Sequence, residues 1–271
     1  MDRNTKLLQG LDLTADGIEI GPSFAPLAPK NAGFRTTVVD HASRSELVSK
    51  YKGHSVDTTR IEEVDVVWKA GTLAEAVQRR GDFHWILASH VIEHVPDLIG
   101  FLNDCDEVLN ERGILSLAVP DRRYCFDYYR PPSSLSSVID AHVAHHNKRM
   151  RTPGTVAEHF LNAVLSDNAI AWSRGRMGAL SFAHQPAQAR DLMKAAMSSS
   201  EYIDCHAWVF TPSVFRLLLA DLNTLGFIRL RENQFYDSQG CEFIIGLSRQ
   251  GEGSGLDRMA LLERVRREAS D

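Results

Sequence analysis

The stretch FHWILASHVIEHVPDLIGFLNDC, residues 83–105, decides the fold of this 271-residue chain. Its first six residues form a short apolar run, which predicts a buried strand over residues 83–88. A second apolar run predicts another strand over residues 114–119. Between them, apolar residues recur at helical spacing and Gly113 follows as the expected helix C-cap: Leu98, Phe101, Leu102, Cys105, Val108 and Leu109. A strand, a helix and a strand in this order indicate a parallel β-α-β unit.

The residues before this unit continue the same alternation. Short apolar runs predict strands over residues 17–20, 36–39 and 64–68, the second ending on Asp40. Two capping boxes, Ser43 with Glu46 and Thr72 with Glu75, predict helices over residues 43–51 and 72–78. Because parallel crossovers share one right-handed sense, five such strands give a doubly wound sheet.

The carboxyl-terminal part departs from an ordinary dinucleotide-binding sheet. Thr211 and Pro212 predict the start of a helix over residues 215–225, which Gly226 closes. Two strands over residues 227–231 and 242–247 follow, joined by a short polar loop. No helix separates these strands, so they are predicted to pair antiparallel. The expected sheet therefore has seven strands and ends in an antiparallel hairpin.

We expect a single domain over residues 1–250 with a helical insertion at about 122–205. Helices are predicted in it over residues 134–147, 155–172 and 186–200. Residues 251–271 form a polar tail with a helical stretch over 256–267, expected to be peripheral.

Composition narrows the function classes. With 30 Lys and Arg against 35 Asp and Glu, the net charge of −5 disfavours nucleic acid as a partner. The four cysteines are scattered without a C-x-x-C pair, which favours reduced thiols over a disulfide framework. The first residues lack the apolar core of a signal peptide, and no apolar run is long enough to span a membrane. We therefore expect a cytoplasmic protein without a membrane span.

Three of the predicted strands end on residues suited to a ligand. Ligands of open α/β sheets bind at the carboxyl ends of the strands, where the winding direction reverses. Gly21 follows the first strand and lets the backbone approach a ligand closely. Asp40 closes the second strand and offers a carboxylate to ribose hydroxyls, while Ser89 and His90 close the fourth. The three positions in register predict an adenosyl ligand.

Several motifs now reveal a family resemblance. The chain resembles the class I S-adenosylmethionine-dependent methyltransferases of bacterial surface-polysaccharide and glycosyltransferase clusters. The motifs that carry it are EIGPSFAPLAPK (19–30), TVVDH (37–41), ILASHVIEHVPDLIGFLNDC (86–105), LNERGILSLAVPDRRYCFDYYRP (109–131), YIDCHAWVFTPSVFRLLLADL (202–222) and GCEFIIGL (240–247). The resemblance implies the Rossmann-like fold and S-adenosylmethionine as cofactor. By position, it assigns cofactor binding to Glu19, Gly21, Pro22, Asp40, Ala70, Ser89 and His90.

The chain departs from the family pattern in two places. The usual E/D-x-G-x-G-x-G motif keeps only Gly21, with Ser23 and Ala25 at the other two glycine positions. Prolines in the same loop block a helix directly after it. After the third strand, where an acid often contacts the adenine amine, the chain has Lys-Ala-Gly at 69–71, so backbone groups around Ala70 are expected there.

Methyl transfer to a hydroxyl needs alignment and a base. The candidates for the base are His94, Asp121, Tyr124, His142 and His206, each with a structural role as the alternative. His142 and His146 also share a helix face that could bind a metal with Asp121 or His206, but solvated histidines are the commoner case, so no metal is expected.

An aromatic and basic entrance opens the insertion. It comprises Arg122, Arg123, Tyr124, Tyr128, Tyr129 and Arg130. These residues are interpreted as contacting the acceptor, with fixing of the insertion to the core as the alternative.

The resemblance implies O-methylation of a saccharide or small-molecule acceptor, with a glycosyltransferase as a partner. The alternative is a non-catalytic module of the same fold in glycan assembly, which the reduced glycine motif favours. A nicotinamide-dependent oxidoreductase is disfavoured because the G-x-G-x-x-G fingerprint is missing after the first strand.

Overall fold

The computed structural model describes residues 1–145, 152–199 and 202–270 of the chain. Its strands fall into a large and a small sheet. They are β1 Gly17–Ile20, β2 Thr36–Asp40, β3 Val66–Val67, β4 Phe83–Ser89, β5 Leu109–Pro120, β6 Val164–Ser166, β7 Leu180–Phe182, β8 Arg231–Gln239 and β9 Glu242–Ser248.

The helices lie before, between and after these strands. They are α1 Arg3–Leu8, α2 Arg44–Tyr51, α3 Leu73–Val77, α4 Leu98–Val108, α5 Leu135–His145, α6 Pro153–Asn162, α7 Pro186–Ser198, α8 Pro212–Thr224 and α9 Arg258–Glu268. Both predicted capping boxes form, with Ser43 at the start of α2 and Thr72 at the start of α3.

The large sheet has seven strands in the order β3-β2-β1-β4-β5-β9-β8. The first five are mutually parallel, whereas β9 runs antiparallel to both β5 and β8. This confirms the predicted doubly wound α/β sheet with a carboxyl-terminal antiparallel hairpin. It is the Rossmann-like strand arrangement of the class I methyltransferase fold. The winding reverses between β1 and β4, which places the topological switch point there.

The central strand β4 is buried on both faces, as its continuous apolar sequence predicts. Ile86 and Ala88 face a core that α3, α4 and α8 complete. Trp85 and Leu87 face the other way, against α1 and the loop after β1. Helices therefore fix one face of the sheet, while an irregular loop covers much of the other.

Residues 21–35, the loop after β1, contain one 3-10 turn, Lys30–Ala32, as their only helical element. The prediction that prolines prevent a helix here is confirmed. The acidic side chain of Glu19 anchors the loop by accepting hydrogen bonds from the backbone N–H groups of Leu27 and Ala28, at 2.7 and 3.1 Å.

Two predicted elements of the large sheet are wrong in position. Helix α4 ends at Val108 and β5 begins at Leu109, so Gly113 lies inside a strand instead of capping a helix. The last hairpin uses Arg231–Gln239, whereas residues 227–231 were predicted as its first strand. Ile228 and Leu230 are buried core residues in an unpaired segment that leads into β8.

The insertion is less helical than predicted. Helix α6 ends at Asn162, and a two-stranded sheet of β6 and β7 replaces the second half of the helix expected over residues 155–172. Asp167 and Asn168 at the end of β6 adopt left-handed conformations with φ of 48° and 66°, which makes a turn there.

The carboxyl-terminal tail packs on the domain. Leu261 of α9 is 1% exposed, and the carboxylate of Glu268 accepts hydrogen bonds from the N–H and hydroxyl groups of Ser213 in α8. The division at residue 250 stays a prediction, but α9 contributes to the packing around α8.

Among the described residues, none of the helices combines the length and apolar character needed to span a bilayer.

Candidate functional site

The predicted ligand-binding positions meet at one edge of the sheet. In the parallel register, Ile20 pairs with Val39 on one side and with Ala88 on the other. Gly21, Asp40 and Ser89 each follow one of these residues, so the three lie side by side at the carboxyl ends of β1, β2 and β4. The structure thus brings together on neighbouring strands the residues that the sequence proposed for the cofactor.

Gly21 occupies a position that favours glycine. Its φ is +64°, and a Cβ placed there would lie 3.0 Å from Cγ2 of Val91. Its N–H donates to the carbonyl of Val39 at 2.8 Å, which holds the loop entrance against β2. Pro22 follows directly. Ser23, at the second glycine position of the family pattern, takes the left-handed conformation that glycine favours, with φ of 50°.

The hydroxyl of Ser23 is buried and makes no hydrogen bond within the described residues. A buried hydroxyl without a partner is uncommon in native proteins. It therefore offers an unused polar group in the loop nearest the switch point.

The carboxyl group of Glu19 lies beneath this loop. Burial disfavours its charge more strongly than the N–H donors of Leu27 and Ala28 support it, so its pKa is raised from 4.5 to about 7. The structure therefore gives Glu19 the role of anchoring the loop from below.

Asp40 ends β2 with its side chain 2% exposed. Its Oδ1 accepts the backbone N–H of His41 at 2.7 Å and lies 2.6 Å from Nδ1 of the same residue. Tyr202 stacks on the His41 ring, with centroids 5.6 Å apart and planes 22° from parallel. The last part of the insertion therefore covers the end of β2. Ala70 is exposed in the loop after β3.

His90 has a left-handed backbone with φ of 54°, an uncommon conformation for a residue with a Cβ. Its Nε2 lies 2.7 Å from Oε2 of Glu242, and its Nδ1 lies 3.5 Å from Oε1 of Glu93. Burial disfavours the imidazolium, but the two carboxylates outweigh it and raise the pKa of His90 to about 9. Arg3 of α1 completes this group by donating to Glu242 at 2.5 Å and to the hydroxyl of Ser89 at 2.6 Å.

Immediately after His90, a fully buried carboxylate faces two more imidazoles. The side chain of Glu93 has no exposed surface, and neither of its oxygens accepts a hydrogen bond within the described residues. The Nε2 atoms of His94 and His206 each lie 3.9 Å from its Oε1. One ligand atom from each residue lies within 4.8 Å of the others. We call these three residues the Glu93 cluster.

His206 reaches this cluster because its segment is fastened to the turn after β4. The carbonyl of Glu93 accepts the backbone N–H groups of Ala207 and Trp208, at 2.7 and 3.1 Å. The indole N–H of Trp208 donates to the carbonyl of Val95 at 2.6 Å. Two parts of the chain more than a hundred residues apart are thereby held in fixed register.

A second carboxylate lies behind each of the two histidines. Asp127 bonds Nδ1 of His206 and accepts Nη1 of Arg130 at 2.8 Å. Oδ1 of Asp204 lies 3.1 Å from Nδ1 of His94, while its Oδ2 accepts Nζ of Lys50 at 3.1 Å. These arrangements direct both Nε2 atoms toward Glu93.

These interactions also set the charge states of the carboxyl groups. The bond to His94 is the largest cause of a lowered pKa at Asp204. Burial raises the pKa of Asp127, but His206 and Arg130 outweigh it and lower the value. Complete burial likewise opposes the charge on Glu93, and the imidazoles around it outweigh that cost and lower its pKa.

The other predicted bases are engaged elsewhere. Asp121 is fully buried and accepts Nη2 of Arg123 at 2.7 Å and the hydroxyl of Ser238 at 2.5 Å. The hydroxyl of Tyr124 accepts Nε of Arg174 at 2.9 Å.

His142 lies on α5, where its Nδ1 is 2.9 Å from Oδ2 of Asp97, the N-cap of α4. His146, the second member of the metal pair weighed from the sequence, lies outside the described residues. Of the five candidate bases, His94 and His206 are the two that meet at the Glu93 cluster.

Arginines of the aromatic and basic entrance bond to carbonyl and carboxylate groups of the chain itself, as expected if the entrance holds the insertion to the core. Nη1 of Arg122 donates to the carbonyl of Tyr128 at 2.5 Å and to that of Arg130 at 3.1 Å. Arg130 is 1% exposed and pairs with Asp127. Tyr129 is exposed. These contacts support the alternative interpretation, in which the entrance fastens the insertion to the sheet.

Sequence reasoning missed the carboxylates of the site, namely Glu93, Asp127, Asp204 and Glu242, together with Arg3. The Glu-His pair after β4 was the available signal, because it placed His94 at the switch point and Glu93 beside it.

Two surface depressions of about 480 and 410 Å³ lie elsewhere, the first along α3 and the second between α5, α8 and α9.

No protein-family model matches this chain, and none of the curated proteins matches it. Solved structures do show likenesses. A Rhodobacter sphaeroides protein provisionally described as a zinc-dependent alcohol dehydrogenase is 15% identical, with 91% of this chain and 89% of that one covered and a TM-score of 0.45. A Listeria monocytogenes protein provisionally described as an S-adenosylmethionine-dependent methyltransferase is 8% identical, with 90% and 96% covered and a TM-score of 0.44.

The mitomycin 7-O-methyltransferase MmcR is 12% identical, with 91% of this chain covered and a TM-score of 0.38. The matched region spans 53% of that protein's length. The fold assignment rests on the observed strand order and not on these likenesses.

Proposed function

We propose that this chain is an S-adenosylmethionine-dependent methyltransferase that methylates a hydroxyl oxygen of a saccharide or small-molecule acceptor. The observation that carries the proposal is the convergence of Gly21, Asp40 and His90 on the switch point of a methyltransferase-type sheet, beside the Glu93 cluster. A close-approach glycine follows β1 and His90 follows β4, the two strands on either side of the crevice where such sheets bind ligands, and an acid ends β2 beside β1.

The residues at this edge fit the proposed cofactor. The carboxylate of Asp40 would accept the ribose hydroxyls, and Gly21 would let the backbone approach the ligand without a side chain in the way. The unpaired hydroxyl of Ser23 supplies one more polar contact in the same loop. When bound, S-adenosylmethionine supplies an electrophilic methyl group on its sulfonium.

The acceptor would lie against the Glu93 cluster. That cluster follows β4 directly, and the side chain of His94 is 29% exposed, which leaves a side open to an incoming molecule. Alignment of an acceptor oxygen is worth up to about 7–11 kcal/mol in well-oriented model reactions. The fixed register of the turn after β4 with residues 206–208 supports such alignment.

A saccharide acceptor and a glycosyltransferase partner are the finer part of this proposal, and they rest on the family resemblance of the sequence motifs. Fold alone does not select an acceptor, because one sheet arrangement serves many methylations. Turnover assays with nucleotide-activated sugars and with small phenols would separate the two acceptor classes.

Calorimetric titration with S-adenosylmethionine and its demethylated product tests the cofactor assignment. We expect saturable binding that weakens at least about tenfold in Asp40→Ala, a loss of about 1.4 kcal/mol. Asp191→Ala, which removes an exposed carboxylate on α7, is the matched control and should bind as the unaltered chain does. Absence of binding by the folded chain would instead favour a non-catalytic module of the same fold. The reduced glycine motif is the sequence feature that favours this alternative.

A further inference from the structure

We propose that Glu93, His94 and His206 form a binding site for one divalent transition-metal cation of the zinc type. The sequence predicted no metal, and the alternative cation site considered there was built on His142 and His146, with Asp121 or His206 as a further ligand. The proposal depends on the geometry of the Glu93 cluster and stands independently of cofactor binding.

The first observation is that the buried carboxylate of Glu93 lacks a hydrogen-bond donor among the described residues. Glu93 is completely buried, and neither oxygen has a hydrogen-bond donor within the described residues. Burying a carboxylate without a partner is costly, and buried charges in proteins are paired or coordinate metals. His90 is 3.5 Å away and is engaged with Glu242 through its other ring nitrogen. A cation between Glu93 and the two remaining imidazoles would give the carboxylate oxygens the direct contact that no hydrogen-bond donor supplies.

The second observation is the orientation of those two imidazoles. Nδ1 of His206 is bonded to Asp127, and Nδ1 of His94 lies 3.1 Å from Asp204. A carboxylate behind one ring nitrogen holds the proton there and leaves the other nitrogen as a ligand. Nε2 of His206 is thereby left to offer a lone pair toward Glu93, and Nε2 of His94 lies at the same distance from that carboxylate, the arrangement found around protein-bound metals.

The separations within the cluster suit a cation better than direct hydrogen bonds. Both Nε2 atoms lie 3.9 Å from Oε1 of Glu93, beyond hydrogen-bond distance. Tetrahedral coordination with bonds of about 2.0–2.1 Å requires ligand atoms about 3.4 Å apart. Closure by about half an ångström would bring each nitrogen to that distance from Oε1, and the segment carrying His206 is already fastened to the carbonyl of Glu93.

The ligand types indicate the class of cation. Imidazole nitrogens suit zinc and its transition-metal neighbours, whereas magnesium and calcium prefer oxygen ligands. Two histidines and one glutamate leave a fourth coordination position open, as in catalytic zinc sites. If the proposed methyl transfer holds, that position would receive the acceptor oxygen, and His94 and His206 would then be metal ligands instead of bases.

Metal binding is measured on the full chain after treatment with a chelator. We expect calorimetric titration with Zn²⁺ to show one saturable site, and addition of Co²⁺ to give the visible absorption of a tetrahedral cobalt centre. Zn²⁺ should also raise the unfolding temperature of the unaltered chain, because the assembled site of the folded state binds it more tightly than the unfolded chain does. Excess Mg²⁺ should not displace either ion.

Glu93→Gln and His206→Gln should each abolish saturable binding and the cobalt spectrum. His184→Gln is the matched control, since His184 contacts Phe160 in the same insertion and is not part of the cluster. Asp204→Asn, which alters the carboxylate behind His94 and its ion pair with Lys50 but none of the three ligands, should weaken binding by about 10- to 100-fold while keeping the cobalt spectrum.

Two results would overturn the proposal. One is a folded, unaltered chain that shows neither saturable Zn²⁺ binding nor a cobalt spectrum. The other is binding that survives in both Glu93→Gln and His206→Gln. These readouts contain no S-adenosylmethionine, so failure of the cofactor titration and failure of the metal site are recorded separately.

Discussion

The pH dependence of stability tests the role of the buried carboxyl group beneath the loop after β1. Glu19 is 2% exposed and accepts two backbone N–H groups from residues of that loop. Glu19→Gln removes the ionisable group and keeps its shape and one acceptor oxygen. The amide nitrogen cannot accept the second N–H, so the variant carries a constant cost that does not vary with pH.

The pH-dependent part of the free energy of unfolding follows from the raised pKa of Glu19. Between pH 4.5 and about 7 the folded chain keeps a proton on Glu19, whereas the unfolded chain releases it. Stability from this group is therefore fully present below pH 4.5 and is lost as pH rises to about 7. At 1.36 kcal/mol for each pKa unit, the loss is at most about 3.4 kcal/mol.

Urea unfolding at pH 5 and at pH 7.5 measures this difference. The cost of Glu19→Gln relative to the unaltered chain should shrink by about 1–3 kcal/mol between the two pH values. Glu263→Gln, at an exposed position of α9, should show no such change. A cost for Glu19→Gln that is the same at both pH values would refute the reasoning, because it would mean that the two N–H donors keep the carboxylate charged throughout.

Three further substitutions test the packing that positions the site. Gly17→Ala should destabilise the chain by about 1–3 kcal/mol or more in urea unfolding, because the new Cβ would lie 1.9 Å from ring atoms of the fully buried Trp85. Asp121→Asn should cost about 3–5 kcal/mol by leaving buried Arg123 without its charge partner, measured in the same way. Leu261→Ala should cost about 2–5 kcal/mol and lower the thermal midpoint, because this side chain of α9 is 1% exposed.

Each of these substitutions has a control in the same chain. Gly154→Ala places its Cβ no closer than 4.0 Å to a neighbouring atom in helix α6, and should be neutral or stabilising. Asp191→Asn and Met259→Ala alter exposed side chains and should stay within about 0.5 kcal/mol. Equal effects at target and control positions would contradict the packing assignments.

The sequence predicts the parallel half of the sheet well because its signals are local. Apolar runs with polar ends identify β1, β2 and β4, and capping boxes begin α2 and α3 at the predicted residues. The edge strand β8 was misplaced because its sequence, RENQFYDSQ, is mostly polar and pairs on one side only. The preceding FIRL run has more of the apolar character of a strand, yet its buried residues Ile228 and Leu230 lie in a segment without a strand partner.

The site was predictable only in part, for a different reason. Positions such as Gly21, Asp40 and His90 follow from where strands end, which the sequence shows directly. The cluster around Glu93 depends on a tertiary contact that joins the turn after β4 to residues 206–208. No local pattern reports such a contact, and so the carboxylates behind the two histidines could not be paired with them in advance.

The contact of Arg3 with Glu242 and Ser89 has a practical consequence for where a shortened version of the chain can start and where a purification tag can be attached. Helix α1 precedes the sheet in sequence, and a trimmed version starting at Gly17 would retain every strand. It would also remove the guanidinium that neutralises Glu242 next to His90. A purification tag attached before Met1 would sit a few residues from the same crevice. For ligand titrations, tags are therefore better attached after α9, with α1 left intact.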